Sequence, residues 1–446
     1  MHYDLIIKNG IIVTPNKTFK GDIAVTSGII ANINNLQEDT ADNIYDATDK
    51  HILPGIIDAH VHFRDPGLTE KEDFESGSKA AAMGGITMVA DMPNVLPVTS
   101  SVDLFNEKAS IANGKSYIDF SLFALLTEDN LEEMEGLKNA GAIGFKVFFG
   151  TSTGDIACPS LPVLINQMEK CAQMGMRIGF HCETGELNSY FTKKIKDASK
   201  NSMFPGLLLT EARPVFSEAL AIQTVICYAK YTGADIHIHH ITSKDGAILA
   251  AEAKQKGIKI TAETCPHYLL FDAEKCSHKV YPPIRSEIHR IALCEDVKNG
   301  VIDMIASDHA PHTPSEKALP LWDAPAGLCG VETLAPLLLN EVNKGKITLN
   351  DFTRLASENP AKIWGIYPQK GSIEPGSDAD LTIVDMKKKI TIKKENLHSK
   401  SKTSPYDGME VQGVPIATIV RGKFIMKDGE LTGEKGYGVL VSPLSR

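Results

Sequence analysis

The chain of 446 residues lacks long hydrophobic runs, paired cysteines and any surplus of positive charge. Its first residues contain no basic stretch followed by an apolar one, so we expect no secretory signal peptide. No segment approaches the roughly 18 consecutive apolar residues of a membrane helix. The eight cysteines are scattered without a C-x-x-C pair, which argues against a disulfide framework and against a structural zinc cluster of thiolates. We therefore expect a cytoplasmic protein that does not bind a membrane.

Negative charge exceeds positive charge, with 56 Asp and Glu against 46 Lys and Arg and a net charge of −10. Such a chain offers no basic stripe to a phosphate backbone, which excludes nucleic acid as the expected partner. An anionic substrate would therefore need a local cationic pocket. The hydrophobic share of 43% and charged share of 23% are those of an ordinary globular protein rather than a disordered or coiled-coil one.

Apolar runs alternate with amphipathic stretches through residues 53–365. Buried parallel strands appear in a sequence as continuous apolar runs, and their alternation with helices indicates βα units. Eight such runs predict a (β/α)8 TIM barrel over 53–365. A doubly wound open sheet is the alternative, although no G-x-G-x-x-G follows the first run. The runs lie at 55–60, 86–91, 117–124, 143–149, 176–181, 235–240, 258–263 and 301–308.

The two ends of the chain have the same β-like character. Residues 1–52 contain short apolar segments with hairpin signals at Asn-Gly 9–10 and Ser-Gly 27–28. Residues 366–446 return to β-like segments after the barrel. We therefore predict a small composite β-sandwich domain built from 1–52 and 366–446.

Ionisable side chains end several runs that should be apolar throughout if they were only buried strands. The carboxyl ends of barrel strands face the active site, and imidazole is a preferred ligand of zinc. A single histidine of this kind is more often a core residue, but the coincidence of several strand ends predicts a metal centre. The residues are His60, His62, His181, His239, His240 and Asp308.

Two positions stay open on the residues alone. His239 and His240 lie on opposite faces of a strand, so at most one points inward, and alternation does not choose between them. Lys146 lies within an apolar run, where an unpaired ammonium is costly. An ion pair with a carboxylate, a side chain that reaches solvent and a neutral lysine carboxylated to a carbamate all remain possible for it.

Together the motifs resemble those of the cyclic amidohydrolases, and within them the dihydroorotases. The likeness covers nearly the whole chain, and it implies a urease-like barrel with a composite β-sandwich and a binuclear zinc centre. The motifs are DAHVHFRDPG at 58–67, DMPN at 91–94, GFKVF at 144–148, HCE at 181–183, HITS at 240–243, SDHAPH at 307–312 and GSIEPGSDADL at 371–381.

The resemblance also implies a set of metal ligands. His60, His62 and Asp308 would hold one zinc ion, and His181 and His240 would hold the other. The family pattern thereby favours the histidine that precedes Ile-Thr over its neighbour.

The resemblance further implies two zinc ions per chain bridged by hydroxide and by carboxylated Lys146. Another branch of these enzymes uses an aspartate as the bridge, and Asp155 is the alternative here. Asp308 would be the catalytic residue that accepts and returns the proton.

Substrate recognition follows from the same resemblance. Dihydroorotases hold the substrate carboxylate with residues that correspond to Arg64, Asn94 and His312. The backbone of Ala326-Gly327 would touch the ring, where relatives carry Phe-Gly.

The resemblance implies a dihydroorotase of pyrimidine biosynthesis, which interconverts N-carbamoyl-L-aspartate and L-dihydroorotate plus water. We also expect the protein to form a homodimer or a higher homo-oligomer. The alternative is an allantoinase or a dihydropyrimidinase/hydantoinase, which usually lacks Arg64 and Asn94 together. A metal-free homologue that acts as a scaffold is a third class, but such a protein is expected to have lost ligands. One departure is Tyr281, where many bacterial dihydroorotases carry asparagine.

Overall fold

The structure is a computed structural model that describes residues 1–34, 36, 39–150, 156–198 and 204–444. Its strands are β1 His2–Val13, β2 Thr18–Thr26, β3 Ile29–Asn34, β4 Thr40–Asp46, β5 His51–Pro54, β6 Ile56–Val61, β7 Ile86–Asp91, β8 Asp119–Leu125, β9 Gly144–Phe149, β10 Arg177–Cys182, β11 Asp235–Ile238, β12 Ile260–Thr264, β13 Met304–Ile305, β14 Leu381–Thr391, β15 Glu410–Val420, β16 Lys423–Lys427 and β17 Glu430–Leu431.

The α-helices of the described residues are α1 Phe74–Met83, α2 Val102–Asn113, α3 Met134–Ala140, α4 Leu161–Met174, α5 Gly185–Ala198, α6 Pro205–Ala212, α7 Val215–Thr232, α8 Lys244–Gln255, α9 Pro266–Leu270, α10 Glu287–Lys298, α11 Pro314–Lys317, α12 Leu334–Asn343, α13 Leu349–Thr353 and α14 Asn359–Ile363. Short 3₁₀ segments cover Leu131–Glu133, Val331–Thr333 and Lys394–Asn396, and a π-helical turn covers Arg354–Glu358.

Strands β6 to β13 form one parallel sheet in which each strand pairs with the next along the chain. The sheet closes where Val61 bridges His309 in parallel and the His62 amide donates to the His309 carbonyl at 2.8 Å. Helices lie between successive strands, as βα units require. The predicted (β/α)8 barrel is confirmed.

The barrel strands are apolar because they are covered on both faces. Every residue of β6, β7 and β8 is buried. The helices outside them pack through small side chains, as in α1, where Ala80, Ala81 and Ala82 are fully buried. Asp73 caps this helix by accepting a hydrogen bond from the Ser76 amide at 2.8 Å.

The second sheet combines both ends of the chain. Its nine strands run in the order β17-β16-β15-β14-β5-β1-β2-β3, with β4 paired to β1. Ile7 and Ile23 from the first segment share an apolar core with Ile383 and Ile419 from the last. The composite β domain predicted from the two termini is confirmed, while the exact division at 53 and 366 stays a prediction.

One hairpin prediction is correct and the other is wrong. Ser27 and Gly28 form a two-residue turn between β2 and β3 with φ of 50° and 79°. Asn9-Gly10 does not turn the chain, because β1 continues through it and only shifts register at a bulge. A Cβ on Gly10 would lie 2.2 Å from Ile52 Cδ1, so glycine serves close packing at this position.

Two barrel strands are shorter than the apolar runs that predict them. β11 ends at Ile238 rather than at residue 240, and β13 covers only Met304–Ile305 of the run 301–308. The histidines and the aspartate at the ends of those runs therefore lie in loops.

Among the described helices, none combines the length and apolar character that crossing a membrane requires.

Candidate active site

The ionisable residues of the strand ends converge on one pocket at the carboxyl end of the barrel. Its cavity volume is about 30 Å³. It is lined by His60, His62, Arg64, Asn94, Lys146, Phe148, His181, His240, Val280, Tyr281, Asp308, Ala310, Ala326 and Gly327.

His60, His62 and Asp308 form one candidate metal site. The Nε2 atoms of His60 and His62 lie 3.5 and 3.2 Å from Asp308 Oδ1. Ligands bound at about 2.0–2.1 Å to a tetrahedral ion would lie roughly 3.3 Å apart. Burial lowers the pKa of both imidazoles, which keeps them in the neutral form that binds metal. The three side chains fit a divalent metal ion.

His181 and His240 form the second half of the candidate centre, with His181 Nδ1 3.0 Å from His240 Nε2. The side-chain alternation of β11 stops at Ile238, and His240 adopts a left-handed backbone with φ of 39°. The His239 side chain lies instead against Glu263, with its Nδ1 atom 3.0 Å from Glu263 Oε1. The structure thus places His240, and not His239, beside His181, where two facing imidazole nitrogens suit a second ion.

Lys146 is fully buried next to these residues, and its Nζ has no hydrogen-bond partner among the described residues. Burial lowers its pKa to about 8, although the charges of Glu263 and Asp308 oppose that shift. Neither an ion pair within the described residues nor a path to solvent is observed. An orphaned, readily neutralised amine between two histidine sets fits carboxylation, which remains a proposal. The alternative bridge, Asp155, lies outside the described residues.

Glu263, on β12, is a site residue that the sequence analysis missed. Its carboxylate accepts a hydrogen bond from His60 Nδ1 and lies 3.0 Å from ring nitrogens of both His237 and His239. The amide of His240 also donates to it, at 3.3 Å. Metal-ligating histidines usually donate their second nitrogen to a carboxylate, which fixes the ring. The signal available in the sequence was the position of Glu263 at the end of an apolar run.

A second carboxylate orients His181 of the other imidazole pair. His181 Nε2 lies 3.1 Å from Glu183 Oε2, and Arg213 contacts the same oxygen at 3.3 Å. Burial alone would raise the pKa of Glu183, but the charge of Arg213 keeps it below its usual value. The Arg213 guanidinium also stacks 3.5 Å above the ring of Tyr281. Tyr281, the departure from the family pattern, is thereby held as a wall of the pocket.

Arg64 lies in this pocket at only 3% exposure. Its Nε donates to the Pro311 carbonyl at 3.2 Å, and Nη2 lies 3.3 Å from His312 Nε2. Both partners are uncharged groups, since burial and the charge of Arg64 lower the pKa of His312 to about 3. No ion pair of Arg64 is found within the described residues.

Asn94 and His312 differ in their position relative to the pocket. Asn94 lines the pocket, but its Oδ1 lies 2.7 Å from His62 Nδ1, so it also orients a metal-site imidazole. His312 lies behind Arg64, with its Nε2 3.0 Å from the Ala326 carbonyl. Ala326 and Gly327 line the pocket, as expected for backbone contacts to a ring.

Comparison with known proteins gives matches along nearly the whole chain. The L-hydantoinase of Paenarthrobacter aurescens is 36% identical over 452 residues, which cover 99% of this chain and 98% of that protein. The allantoinase of Deinococcus radiodurans is 34% identical with complete coverage of both chains. The dihydroorotase of Methanosphaera stadtmanae is 36% identical over 92% of this chain and 94% of that protein.

A solved structure shares the fold closely. The L-hydantoinase (dihydropyrimidinase) from Arthrobacter aurescens superimposes with a TM-score of 0.95 at 35% identity, covering 99% of this chain and 100% of that one. A sequence model of the amidohydrolase family matches residues 51–425, which include all of the pocket residues described above. This chain belongs to the amidohydrolase family.

Proposed function

We propose that this amidohydrolase opens and closes a cyclic amide ring that carries a carboxylate, which is the reaction of a dihydroorotase. In one direction L-dihydroorotate and water give N-carbamoyl-L-aspartate, and in the other the ring closes. The observation that carries this choice is the burial of Arg64 inside the pocket without a carboxylate partner among the described residues.

A buried guanidinium needs a counter-charge, because desolvation disfavours an unpaired ion. Within the described residues, the hydrogen-bond partners of Arg64 are a carbonyl and a neutral imidazole. A planar guanidinium binds a carboxylate through two parallel hydrogen bonds, which a substrate could supply. Hydantoin and dihydrouracil lack this carboxylate, so the residue would distinguish between ring substrates.

The donor set fits two divalent metal ions. The residues that would hold them are His60, His62 and Asp308 for one, His181 and His240 for the other, and carboxylated Lys146 for both. When bound, such ions would polarise the ring carbonyl and lower the pKa of a water from 15.7 towards about 7.

Asp308 would transfer the proton from the water to the ring nitrogen. Burial alone would raise its pKa, but the hydrogen bond and charge of His62 keep it low, so the group is ionised and able to accept a proton. As the water oxygen adds to the ring carbonyl, Asp308 takes the proton. When the ring C–N bond breaks, Asp308 returns that proton to the nitrogen. General acid–base help of this kind contributes about 10²–10⁴-fold.

The test is an assay of the purified protein with dihydroorotate, N-carbamoyl-L-aspartate, allantoin, hydantoin and dihydrouracil side by side. We expect the carboxylate-bearing pair to give the highest kcat/KM. Faster turnover of allantoin or hydantoin would overturn the dihydroorotase proposal and leave the metal-dependent ring hydrolase in place.

The second candidate is a hydantoinase or allantoinase. The relatives support it at least as strongly, because the proteins bearing these names match 99% and 100% of the chain, compared with 92% for the dihydroorotase. Under this candidate Arg64 would contact a neutral ring, and its removal would change turnover little.

A further inference from the structure

Helix α7 presents an apolar stripe to solvent. Phe216, Leu220, Cys227 and Tyr231 are exposed along one face of the helix, with Gln223 between them. At 100° per residue these positions fall within about a third of the helix circumference. A surface helix of a barrel buries its apolar face inward, so an outward apolar stripe is a second contact surface.

The stripe is symmetric about its own midpoint. Phe216 and Tyr231 are equally far from the point between residues 223 and 224, and so are Leu220 and Cys227. A two-fold axis at that point would place the partner's helix antiparallel and set Phe216 against Tyr231 of the partner subunit and Leu220 against Cys227 of the partner subunit. This self-complementarity is what an isologous interface requires.

Charge and area also favour a second copy of this chain. Of the exposed residues on this face of the described helix, Lys230 alone is charged, so the face brings little like-charge repulsion although the chain has a net charge of −10. Near one end, Phe191 bridges the rings of Phe216 and Tyr190 at centroid distances of 5.7 and 5.1 Å.

The exposed aromatic side chains are large enough to matter. Tyr190, Phe216 and Tyr231 are exposed by 61%, 50% and 76%. With about 150–250 Å² per aromatic side chain, they offer on the order of 400 Å². A standard interface buries about 800 Å² per partner, so these three side chains on α5 and α7 would supply roughly half of it.

We propose that α7 packs antiparallel against α7 of a second copy, across a two-fold axis between residues 223 and 224. This assigns a surface and a symmetry to the homo-oligomer expected from the sequence, and it does not depend on which ring is the substrate.

Site-specific cross-linking tests the register. Leu220→Cys would place a thiol opposite Cys227 of the partner subunit, and mild oxidation should give a disulfide-linked dimer on a non-reducing gel. In the wild type, Cys227 and its symmetry mate would lie about 10 Å apart along the axis, so little dimer should form. Leu220→Cys combined with Cys227→Ser should lose the cross-link.

Leu319→Cys is the matched control, because Leu319 is 48% exposed, as Leu220 is at 49%, but lies outside α7. Equal cross-linking of the two variants would overturn the proposed pairing.

Sedimentation of the wild type and of Leu220→Glu is an independent test of the proposed interface. We expect the wild type to be at least dimeric at micromolar concentration and Leu220→Glu to dissociate by one step, with its far-UV circular dichroism unchanged. A monomeric wild type, or an unaltered oligomer in Leu220→Glu, would overturn the proposal.

Discussion

Arg64 and Lys146 are buried basic residues for which the described part of the chain supplies no ion pair. Arg64 contacts uncharged groups, and the Nζ atom of Lys146 has no hydrogen-bond partner among the described residues. Burying such groups costs stability unless something else satisfies them. The chemistry that would do so is a substrate carboxylate for Arg64 and carboxylation for Lys146. At the scale of single residues, both proposals therefore rest on a buried basic group whose satisfaction would come from outside the chain.

Arg64→Ala should lower kcat/KM for dihydroorotate by roughly 10–10³-fold. A charge-assisted hydrogen bond contributes about 1.5–3 kcal/mol, and each 1.4 kcal/mol is a factor of about ten. Steady-state kinetics with a neutral ring substrate is the internal control, because that activity should hardly change. Arg64→Lys should recover activity only in part, since an ammonium lacks the planar fork. Undiminished dihydroorotate turnover in Arg64→Ala would contradict the proposed role.

Glu263→Gln should weaken metal binding by about 10–100-fold, because the carboxylate that fixes His60 is replaced by a neutral amide. Chelator-competition titration of the metal-depleted protein measures this directly. Glu252→Gln, an exposed glutamate on α8, is the control and should bind metal as the wild type does. Equal affinities in both variants would show that Glu263 does not orient the site.

Lys146→Ala should lose most activity and bind fewer than two metal ions. The vacated volume beside the ligands could admit a short carboxylic acid, so acetate or propionate should restore part of the activity. Elemental analysis and kinetics with and without the acid measure both effects. If Lys146→Ala keeps two ions and full activity while Asp155→Ala loses them, Asp155 is the bridge.

At the scale of elements, a glycine of β10 allows the loop that follows β11 to pack closely against that strand. A Cβ on Gly179 of β10 would lie 2.0 Å from His239 Nε2. The His239 ring cannot retreat, because Trp364 stacks over it and Phe123 meets its edge. The absent side chain therefore makes room for the histidine that, together with His60, contacts Glu263.

Gly179→Ala should destabilise the fold by about 1–3 kcal/mol, the usual cost of overpacking a core. The shift in the urea unfolding midpoint at constant m measures it. Gly114→Ala is the comparison, since its nearest neighbour atoms would be 3.7 Å away and its backbone is right-handed. An unchanged midpoint for Gly179→Ala would mean that His239 can shift without cost.

At the scale of the whole molecule, a buried ion cluster joins the barrel to the β domain. Lys370 Nζ lies 2.5 Å from Asp119 at the start of β8, and 2.8 and 2.7 Å from Asp378 and Asp380 before β14. Arg421 adds a second cation on Asp119. Burial alone would lower the pKa of Lys370, but these carboxylates raise it, so the lysine is charged.

Lys370→Met should cost about 3–5 kcal/mol, because removing one partner leaves buried carboxylates uncompensated. Thermal unfolding followed by circular dichroism should show a lower Tm. Lys362→Met removes the half-exposed ion pair with Glu358 and should change stability by less than about 1 kcal/mol. Similar small effects of the two substitutions would contradict a joining role for the cluster.

The barrel and the composite β domain could be predicted from the sequence because both depend on local patterns. Continuous apolar runs of strand length mark strands buried on both faces, and their alternation with helices leaves few topologies. The ligand-type residues could also be found, since they interrupt those runs at the end where barrel active sites lie. The same patterns overestimated the lengths of β11 and β13. Apolar residues that follow the end of a strand cannot be distinguished in the sequence from residues of the strand itself.

Other features depended on contacts between distant segments. The choice of His240 follows from the left-handed turn after Ile238, which breaks the alternation that left the pair undecided. The role of Glu263 is visible only once the barrel has closed and side chains from β6 and β11 meet the one from β12. The need for glycine at position 10 comes from close packing against Ile52, about 40 residues away.

The sequence by itself determined the elements, their order and the kinds of side chain at the strand ends, because hydrophobic period and residue chemistry are local properties. The tertiary structure alone decided which imidazoles face each other, which carboxylates hold them and that Arg64 lines the pocket without an ion pair among the residues described. Those outcomes depend on backbone torsions in a few loop residues and on packing across the closed barrel, and neither is written in the spacing of residues along the chain.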